Sequence, residues 1–302
     1  MDKKFVSIIV PCKNEERFIG RCLESIFSQD YPEEKLEILV VDGMSVDRTR
    51  EIIKNFQFSM TNFQLRILDN PKIITPSAMN IGIKNAKGEI IIKMDAHSIY
   101  EKYYVSKCIE HLIESGADNV GGVLKAVPSR NTIVAKAIAF CLSHFFGAGS
   151  SYFRTGTDEP REVDTVAFGC YWKKTFGKIG LYDERMAQIE DLELNYRLRK
   201  QGGKIMIFPD IKAIYYPSSD NLASFFKHNF TDGIWATYPL RYGFKVSLRH
   251  LIPLIFVLTL PLSILPYIFL SLFFSAQIAF REKDFRLFFV TPLVFGVRHI
   301  GY

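Results

Sequence analysis

The chain is poor in residues that would staple it or bind a soft metal. Its 302 residues include five cysteines, Cys12, Cys22, Cys108, Cys141 and Cys170. The number is odd, the spacing is scattered and no Cys-x-x-Cys pair occurs, which excludes a disulfide framework and a thiolate zinc site. Reduced thiols on the cytoplasmic side are the simplest reading. No long Lys/Arg run accompanies the net charge of +6, so the basic stripe of a nucleic-acid-binding protein is missing and no nucleic acid polymer is expected as a partner. Internal repeats and low-complexity tracts are missing too. The N-terminal MDKKFVSIIVP has too short an apolar run for a signal peptide and leads directly into a strand. Leu251 to Phe280 carries no charged residue.

That uncharged segment is 30 residues long, whereas about 20 apolar residues suffice for a membrane span. It reads as one tilted helix with excess length or as a re-entrant hairpin, with a buried helix of a soluble protein as the alternative. Pro253, Pro261 and Pro266 favour a kinked or broken path. Arg241, Lys245, Arg249 and Arg281 supply the positive flanks that suit a membrane surface. A second apolar stretch, FRLFFVTPLVFGV, is too short for a span of its own. The expected division is a globular domain over 1–240 and a membrane-associated helical region over 241–302.

The globular part alternates strand-like and helix-like segments. FVSIIVP is a β-branched run ended by Pro11, as in a buried parallel strand. Phe18, Ile19, Cys22, Leu23, Ile26 and Phe27 then fall on one face of an amphipathic helix. LEILVVD is a second strand and LRIL a third. Thr75-Pro76 offers an N-cap followed by proline at the first helical position, and Lys87-Gly88 turns the chain into EIIIKMD. This alternation predicts an α/β fold with a doubly wound parallel sheet. After His97 the pattern weakens: 101–114 reads as helix, DNVGGVL as strand, and 128–162 as a long mixed stretch with a Gly/Ser-rich patch at 146–151. That stretch is either a mobile acceptor loop or a surface excursion.

Carboxylates stand at the ends of these segments. Asp42 ends LEILVVD, Asp95 ends EIIIKMD, and Glu190-Asp191 opens the helical EDLELNYRLRKQG. Ligands of open α/β sheets bind at the carboxyl ends of strands. If Asp95-Ala96-His97 is extended, its first and third side chains point the same way and can reach one cation. Oxygen ligands suit Mg²⁺ or Mn²⁺, and the imidazole shifts the preference toward Mn²⁺. The competing reading makes Asp95 a helix cap and His97 an ordinary loop residue. Asp42 can accept hydrogen bonds from a base or ribose, and Gly43 permits a tight turn after it. Asp47 is either a ligand or the N-cap of a helix near Arg48. Pro11, Asn14 and Glu15 follow the first strand and could line a nucleotide pocket, with Asn14 equally a helix cap. Glu190 and Asp191 either complement a helix dipole or include a base, with Asp191 taking the proton of an acceptor hydroxyl. Glu193 and Arg197 can pair across one turn.

Taken in order, SIIVPCKNEERFIGRCLESI, VVDGMSVDRTREII, NPKIITPSAMNIGIKNAKGEIIIKMDAH, VDTVAFGCYWKKTFGKIGLYDE and IEDLELNYRLRKQGGKI resemble inverting glycosyltransferase family 2, and within it the succinoglycan-biosynthesis type. The resemblance implies a GT-A nucleotide-diphospho-sugar transferase fold, with a mostly parallel twisted sheet, helices on both faces and C-terminal apolar membrane helices. It implies that Asp42 contacts the base, that Asp95 and His97 stand at the Asp-X-Asp metal motif, and that Asp191 of the Glu190-Asp191 pair is the base. Pro11, Asn14, Glu15, Asp47, Asn80 and Gly169 complete the expected donor-binding set, and Val163 to Trp172 would line the donor sugar and acceptor. His97 departs from the commonest motif. The Gln-x-x-Arg-Trp motif of processive synthases is missing, which implies one sugar per acceptor. The implied partners are a UDP-sugar, a polyprenyl-diphosphate-linked saccharide and the membrane. The implied setting is exopolysaccharide or surface-glycan synthesis at a bacterial inner membrane, with the catalytic domain cytoplasmic. A dolichyl-phosphate-mannose-synthase-like enzyme and a catalytically silent nucleotide-sugar-binding protein are the alternatives.

Overall fold

A computed structural model describes residues 3–59, 62–238 and 252–302. In chain order the elements are β1 (Val6–Cys12), α1 (Ile19–Phe27), β2 (Leu36–Asp42), α2 (Thr49–Ser59), β3 (Gln64–Asp69), α3 (Thr75–Asn85), β4 (Ile90–Lys93) and β5 (Ser98–Tyr100). Then follow α4 (Tyr104–Glu114), β6 (Asn119–Ala126), α5 (Ile133–Ser143), α6 (Phe145–Ala148), α7 (Tyr152–Thr155), β7 (Arg161–Glu162), β8 (Cys170–Trp172) and α8 (Lys173–Ile179). The last are α9 (Glu190–Lys200), β9 (Ile205–Tyr215), α10 (Leu222–Thr237), α11 (Ile252–Leu258), α12 (Leu260–Glu282) and α13 (Arg286–Gly301). The chain divides into two compact units, Met1–Leu124 with Thr157–Ile214, and Lys125–Gly156 with Tyr215–Tyr302. The boundary expected near residue 240 lies outside the described residues, as do Arg241, Lys245 and Arg249.

The first unit is built on the sheet. Every residue of β2 is buried, and so are Val6, Ile8, Ile9 and Val10 of β1. Such doubly covered, β-branched strands are what parallel pairing between helical layers requires. The strand order is β3-β2-β1-β4-β8-β6-β9-β5, with β7 on β9. β3, β2, β1 and β4 are mutually parallel, whereas the β4–β8, β6–β8 and β7–β9 pairs are antiparallel. The doubly wound parallel pattern therefore holds for the first four strands and gives way to a mixed sheet beyond them. The chain runs outward from β1 to β2 and β3, then returns to place β4 on the other side of β1. The switch point lies between β1 and β4, where an open α/β sheet leaves a crevice at its carboxyl edge.

One cap expectation is corrected. Ile74, not Thr75, occupies the N-cap of α3, and no side chain caps it. Asn70 Nδ2 donates to the Ile74 carbonyl at 3.0 Å and fixes the entry instead.

The second unit is helical. Ala137, Ile138, Cys141 and Leu142 of α5 share a core with Phe225 of α10, Ile278 and Ala279 of α12, and Leu287, Val294 and Phe295 of α13. The stretch 128–162 is thus no plain loop. It contributes α5 to a core, with Thr132 Oγ1 accepting from Ala135 N at 3.1 Å as its N-cap. The apolar run 251–280 is broken at Thr259, just before Pro261, which has no N–H to continue the helix ladder. α12 is long and apolar enough to cross a membrane. Leu262, Leu265, Phe269 and Phe280 are exposed on it, so it is not the buried helix of a soluble core. The second apolar stretch forms α13, the helix whose Val294 and Phe295 are fully buried.

Candidate active site

The crevice at the carboxyl edge of the first unit gathers side chains from the ends of four strands and from α9. At the end of β2, Asp42 is fully buried. It accepts from Ser45 N and Oγ, and from Arg50 Nη1 at 2.8 Å. Arg50 also donates to Asp69, at the end of β3, at 2.7 Å. A buried carboxylate is tolerable because a guanidinium and a hydroxyl satisfy it.

The loop after β1 interlocks with the loop after β2. Asn14, in the left-handed region at φ 55, accepts from Val46 N, while its own N–H donates to Ser45 Oγ. It is no helix cap. Asp47 accepts from Thr49 N at 3.0 Å and from Glu16 N at 3.1 Å, so it braces the start of α2 and ties it to the β1 loop. Pro11 lies within β1 opposite Val41.

Asp95-Ala96-His97 is a turn rather than extended chain, closed by Ser98 N donating to the Asp95 carbonyl. Alternation along a strand is therefore not what relates Asp95 to His97. The Tyr100 hydroxyl brackets Asp95, accepting from its N–H at 2.6 Å and donating to its carbonyl at 3.3 Å. His97 Nδ1 lies 3.0 Å from Glu15 Oε1, a bond that spans the switch point. Burial pulls the imidazole pKa down, but the Glu15 hydrogen bond and the charges of Asp95 and Glu15 outweigh it, and the net shift is upward. A carboxylate on the second ring nitrogen is the support that metal-bound imidazoles carry. Among the described residues no group of three or more His, Cys, Asp and Glu is arranged to hold a metal. Asp95 with a braced His97 fits a hard cation that takes its remaining oxygens from a phosphorylated ligand.

Glu190 and Asp191 open α9, and Lys93 at the end of β4 reaches both. Its Nζ stands 2.9 Å from Glu190 Oε1 and 2.5 Å from Asp191 Oδ2, and the three side chains are 4%, 11% and 25% exposed. Burial would depress the lysine, but the charges of Asp191, Glu190 and Asp95 prevail and hold it protonated. Burial also raises the Glu190 carboxyl above its usual range, against the pull of Lys93. The Tyr182 hydroxyl stands 3.3 Å from Asp191 Oδ1. Asn80 spends its amide on the Tyr182 backbone, accepting from its N–H and donating to its carbonyl, both at 2.9 Å. The structure thus places Asn80 behind Tyr182. Gly169 gives its carbonyl to Lys93 N at 3.1 Å. A Cβ there would meet the Tyr171 ring at 2.5 Å, so only glycine fits. Glu193 and Arg197 pair at 2.5 Å as their spacing predicts.

Lys93, Arg50 and Tyr182 escape a reading of carboxylates alone. Lys93 did carry a signal: it is the one cation in the apolar run EIIIKMD, and a buried ammonium requires counter-charges.

The fold, its switch-point crevice and the clustered acids are those of a GT-A transferase. Glycosyl transferase family 2 matches residues 7–175. A Methanococcus voltae relative, dolichyl N-acetyl-α-D-glucosaminyl phosphate 3-β-D-2,3-diacetamido-2,3-dideoxy-β-D-glucuronosyltransferase, is 33% identical over 80% of this chain and 75% of its own. Succinoglycan biosynthesis protein ExoA of Rhizobium meliloti is 29% identical over 82% and 74%. Among solved structures, the mannosyltransferase PcManGT from Pyrobaculum calidifontis, with GDP-Man and Mn²⁺, superposes with TM-score 0.66 at 17% identity, covering 98% of this chain and 86% of that one. TarS 1–349 of S. aureus with UDP gives TM-score 0.55 at 19% identity, covering 77% of this chain and 65% of that one. The chain belongs to glycosyl transferase family 2 and is a glycosyltransferase.

Proposed function

We propose that the enzyme moves one sugar from a nucleotide-diphosphate sugar to a lipid-linked saccharide, with inversion at the anomeric carbon, in surface-glycan or exopolysaccharide assembly. The observation that carries this reading is Asp191 held through Lys93 to the strand end that leads into Asp95, which sets a base beside a phosphate-binding loop. Asp191 takes the proton of an acceptor hydroxyl as that oxygen bonds to the anomeric carbon. The bond from that carbon to the diphosphate breaks on the opposite face, and its electron pair leaves with the nucleoside diphosphate. Mn²⁺ or Mg²⁺ held by Asp95 and His97 would neutralise charge on the departing diphosphate.

Asp42, fully buried against Arg50 and Ser45, acts on the base pocket through those two residues, and Pro11, Asn14, Glu15 and Asp47 shape that pocket. Asn80 and Gly169 act on the donor through Tyr182 and the segment 163–172. The TarS structure with UDP supports a UDP-sugar donor. The M. voltae relative's name gives a dolichyl-linked sugar phosphate as its acceptor, which favours a sugar hydroxyl over a bare lipid phosphate here. A lipid phosphate needs no deprotonation and would leave Asp191 without a task. The sheet unit would form the transferase core, and the helical unit, which takes in Lys125–Gly156 and the chain from Tyr215 on as well as the expected 241–302, would carry the membrane-associated region, at a bacterial inner membrane with the catalytic side cytoplasmic.

The test is a thermal-shift panel of UDP-glucose, UDP-galactose, UDP-N-acetylglucosamine and GDP-mannose with Mn²⁺ or Mg²⁺, followed by transfer to a native lipid extract. Asp191→Asn should bind the selected donor normally while kcat falls about 10³-fold. Wild-type-like turnover in that variant would remove Asp191 from the role of base.

A further inference from the structure

We infer that Lys93 is a positioning residue for the transfer step: its ammonium pins one oxygen of Asp191 so that the other is presented to the acceptor hydroxyl. This rests on the reading of Asp191 as base.

Both side-chain hydrogen bonds of Lys93 go to the acids that open α9, to Glu190 Oε1 at 2.9 Å and to Asp191 Oδ2 at 2.5 Å. The lysine side chain is 4% exposed while that of Asp191 is 25% exposed. The cation is thus covered and the carboxylate reaches solvent. With Oδ2 occupied, Oδ1 is the oxygen left to take a proton. Its neighbour there, the Tyr182 hydroxyl at 3.3 Å, is a long contact that a stronger donor can displace.

The backbone that carries Lys93 is itself held on both sides. Lys93 pairs with Ile9 of β1 across the parallel ladder. Its N–H donates to Gly169. Two residues further on, Asp95 is bracketed by Tyr100. The same strand end therefore fixes the base through Lys93 and begins the loop that carries Asp95. Without the ammonium, Glu190 and Asp191 would be adjacent acids in one helical turn with no cation between them, and their mutual repulsion would turn Asp191 away. A lysine that served only to hold α9 would not need to leave the more exposed acid an oxygen held by nothing but the long Tyr182 contact. A lysine that bound the donor diphosphate would need to reach the crevice, from which it is covered.

The experiment is a double-mutant cycle on the full-length enzyme, with the donor selected by the thermal-shift panel and native lipid extract as acceptor. Lys93→Met should lower kcat about 100-fold, the cost of a base displaced by about 1 Å. Donor KM and the affinity for that donor with Mn²⁺ should stay within about threefold of wild type, because neither reports on the base. Lys93→Arg should recover part of the loss. In an Asp191→Asn background, Lys93→Met should cost nothing further, since it acts through the group already removed.

Three results would overturn the inference: kcat of Lys93→Met within about twofold of wild type; a loss that sits in donor KM; or a full additional loss in the Asp191→Asn background. Should Lys93→Met fail to fold, the cycle is run with Lys93→Arg, whose partial loss should likewise vanish beside Asp191→Asn. An active Asp191→Asn enzyme would defeat the base assignment itself, whereas an inactive one beside a fully active Lys93→Met defeats only the role of Lys93.

Discussion

Both units of this chain bury apolar side chains, and they differ in what they leave outside. Among the described residues of the sheet unit the exposed large apolar ones are Met44, Val46, Phe58, Ile73, Tyr103 and Ile113, scattered over separate loops and helices. In the helical unit, α12 alone exposes Leu262, Leu265, Ile268, Phe269, Phe273 and Phe280. The first pattern is ordinary for a water-facing surface, while a continuous apolar face marks contact with something other than water. Charge is distributed the opposite way. Asp42, Lys93 and Glu190 are buried in the first unit and paired there. One unit thus buries paired charges at its strand ends, and the other leaves an apolar helix face exposed.

That contrast can be broken experimentally. Chelation should have the largest effect and should strike one unit alone. With EDTA, transfer is expected to fall to background and to return with Mn²⁺, while the fraction of protein recovered with membranes stays the same. Activity unaffected by EDTA would count against Asp95 and His97 as cation ligands. Next in size is a charge on the apolar face. Phe269→Arg near the middle of α12 should weaken insertion by about 3 kcal/mol, read as loss of carbonate-resistant membrane protein. Ile113→Arg in the sheet unit should leave fractionation unchanged, and an equal effect of both would erase the distinction. The smallest expected change is in packing. Thr132→Ala removes the N-cap of α5 and should cost about 1 kcal/mol of stability, seen as a lower melting temperature, with donor affinity in the sheet unit unaltered.

Much of the first unit was legible in the sequence because its strands are short apolar runs, although Pro11 lies inside β1 and β4 stops at Lys93, short of Asp95. LEILVVD is β2 residue for residue, and the helix after Phe18 begins where its apolar spacing predicts. α5 was missed within 128–162, although Thr132 and the spacing of Ala137, Ile138, Cys141 and Leu142 mark a capped helix with a buried face. Glycines and serines just beyond it masked that period. The turn at Asp95–His97 was equally hidden, since a four-residue strand leaves no room for alternation to reveal where it stops.

The sequence by itself determined the family, the alternation of the first four strands, the acids at or just beyond their ends and the uncharged run that becomes α11 and most of α12. All are local properties, written in composition and period. The partners of those acids were decided only by the tertiary structure. Arg50 reaches Asp42 and Asp69 from a helix, Glu15 meets His97 across a crossover, and Lys93 joins α9 from nearly a hundred residues away. An ion pair depends on where strand order brings two side chains, and strand order is fixed by the packing of the whole sheet.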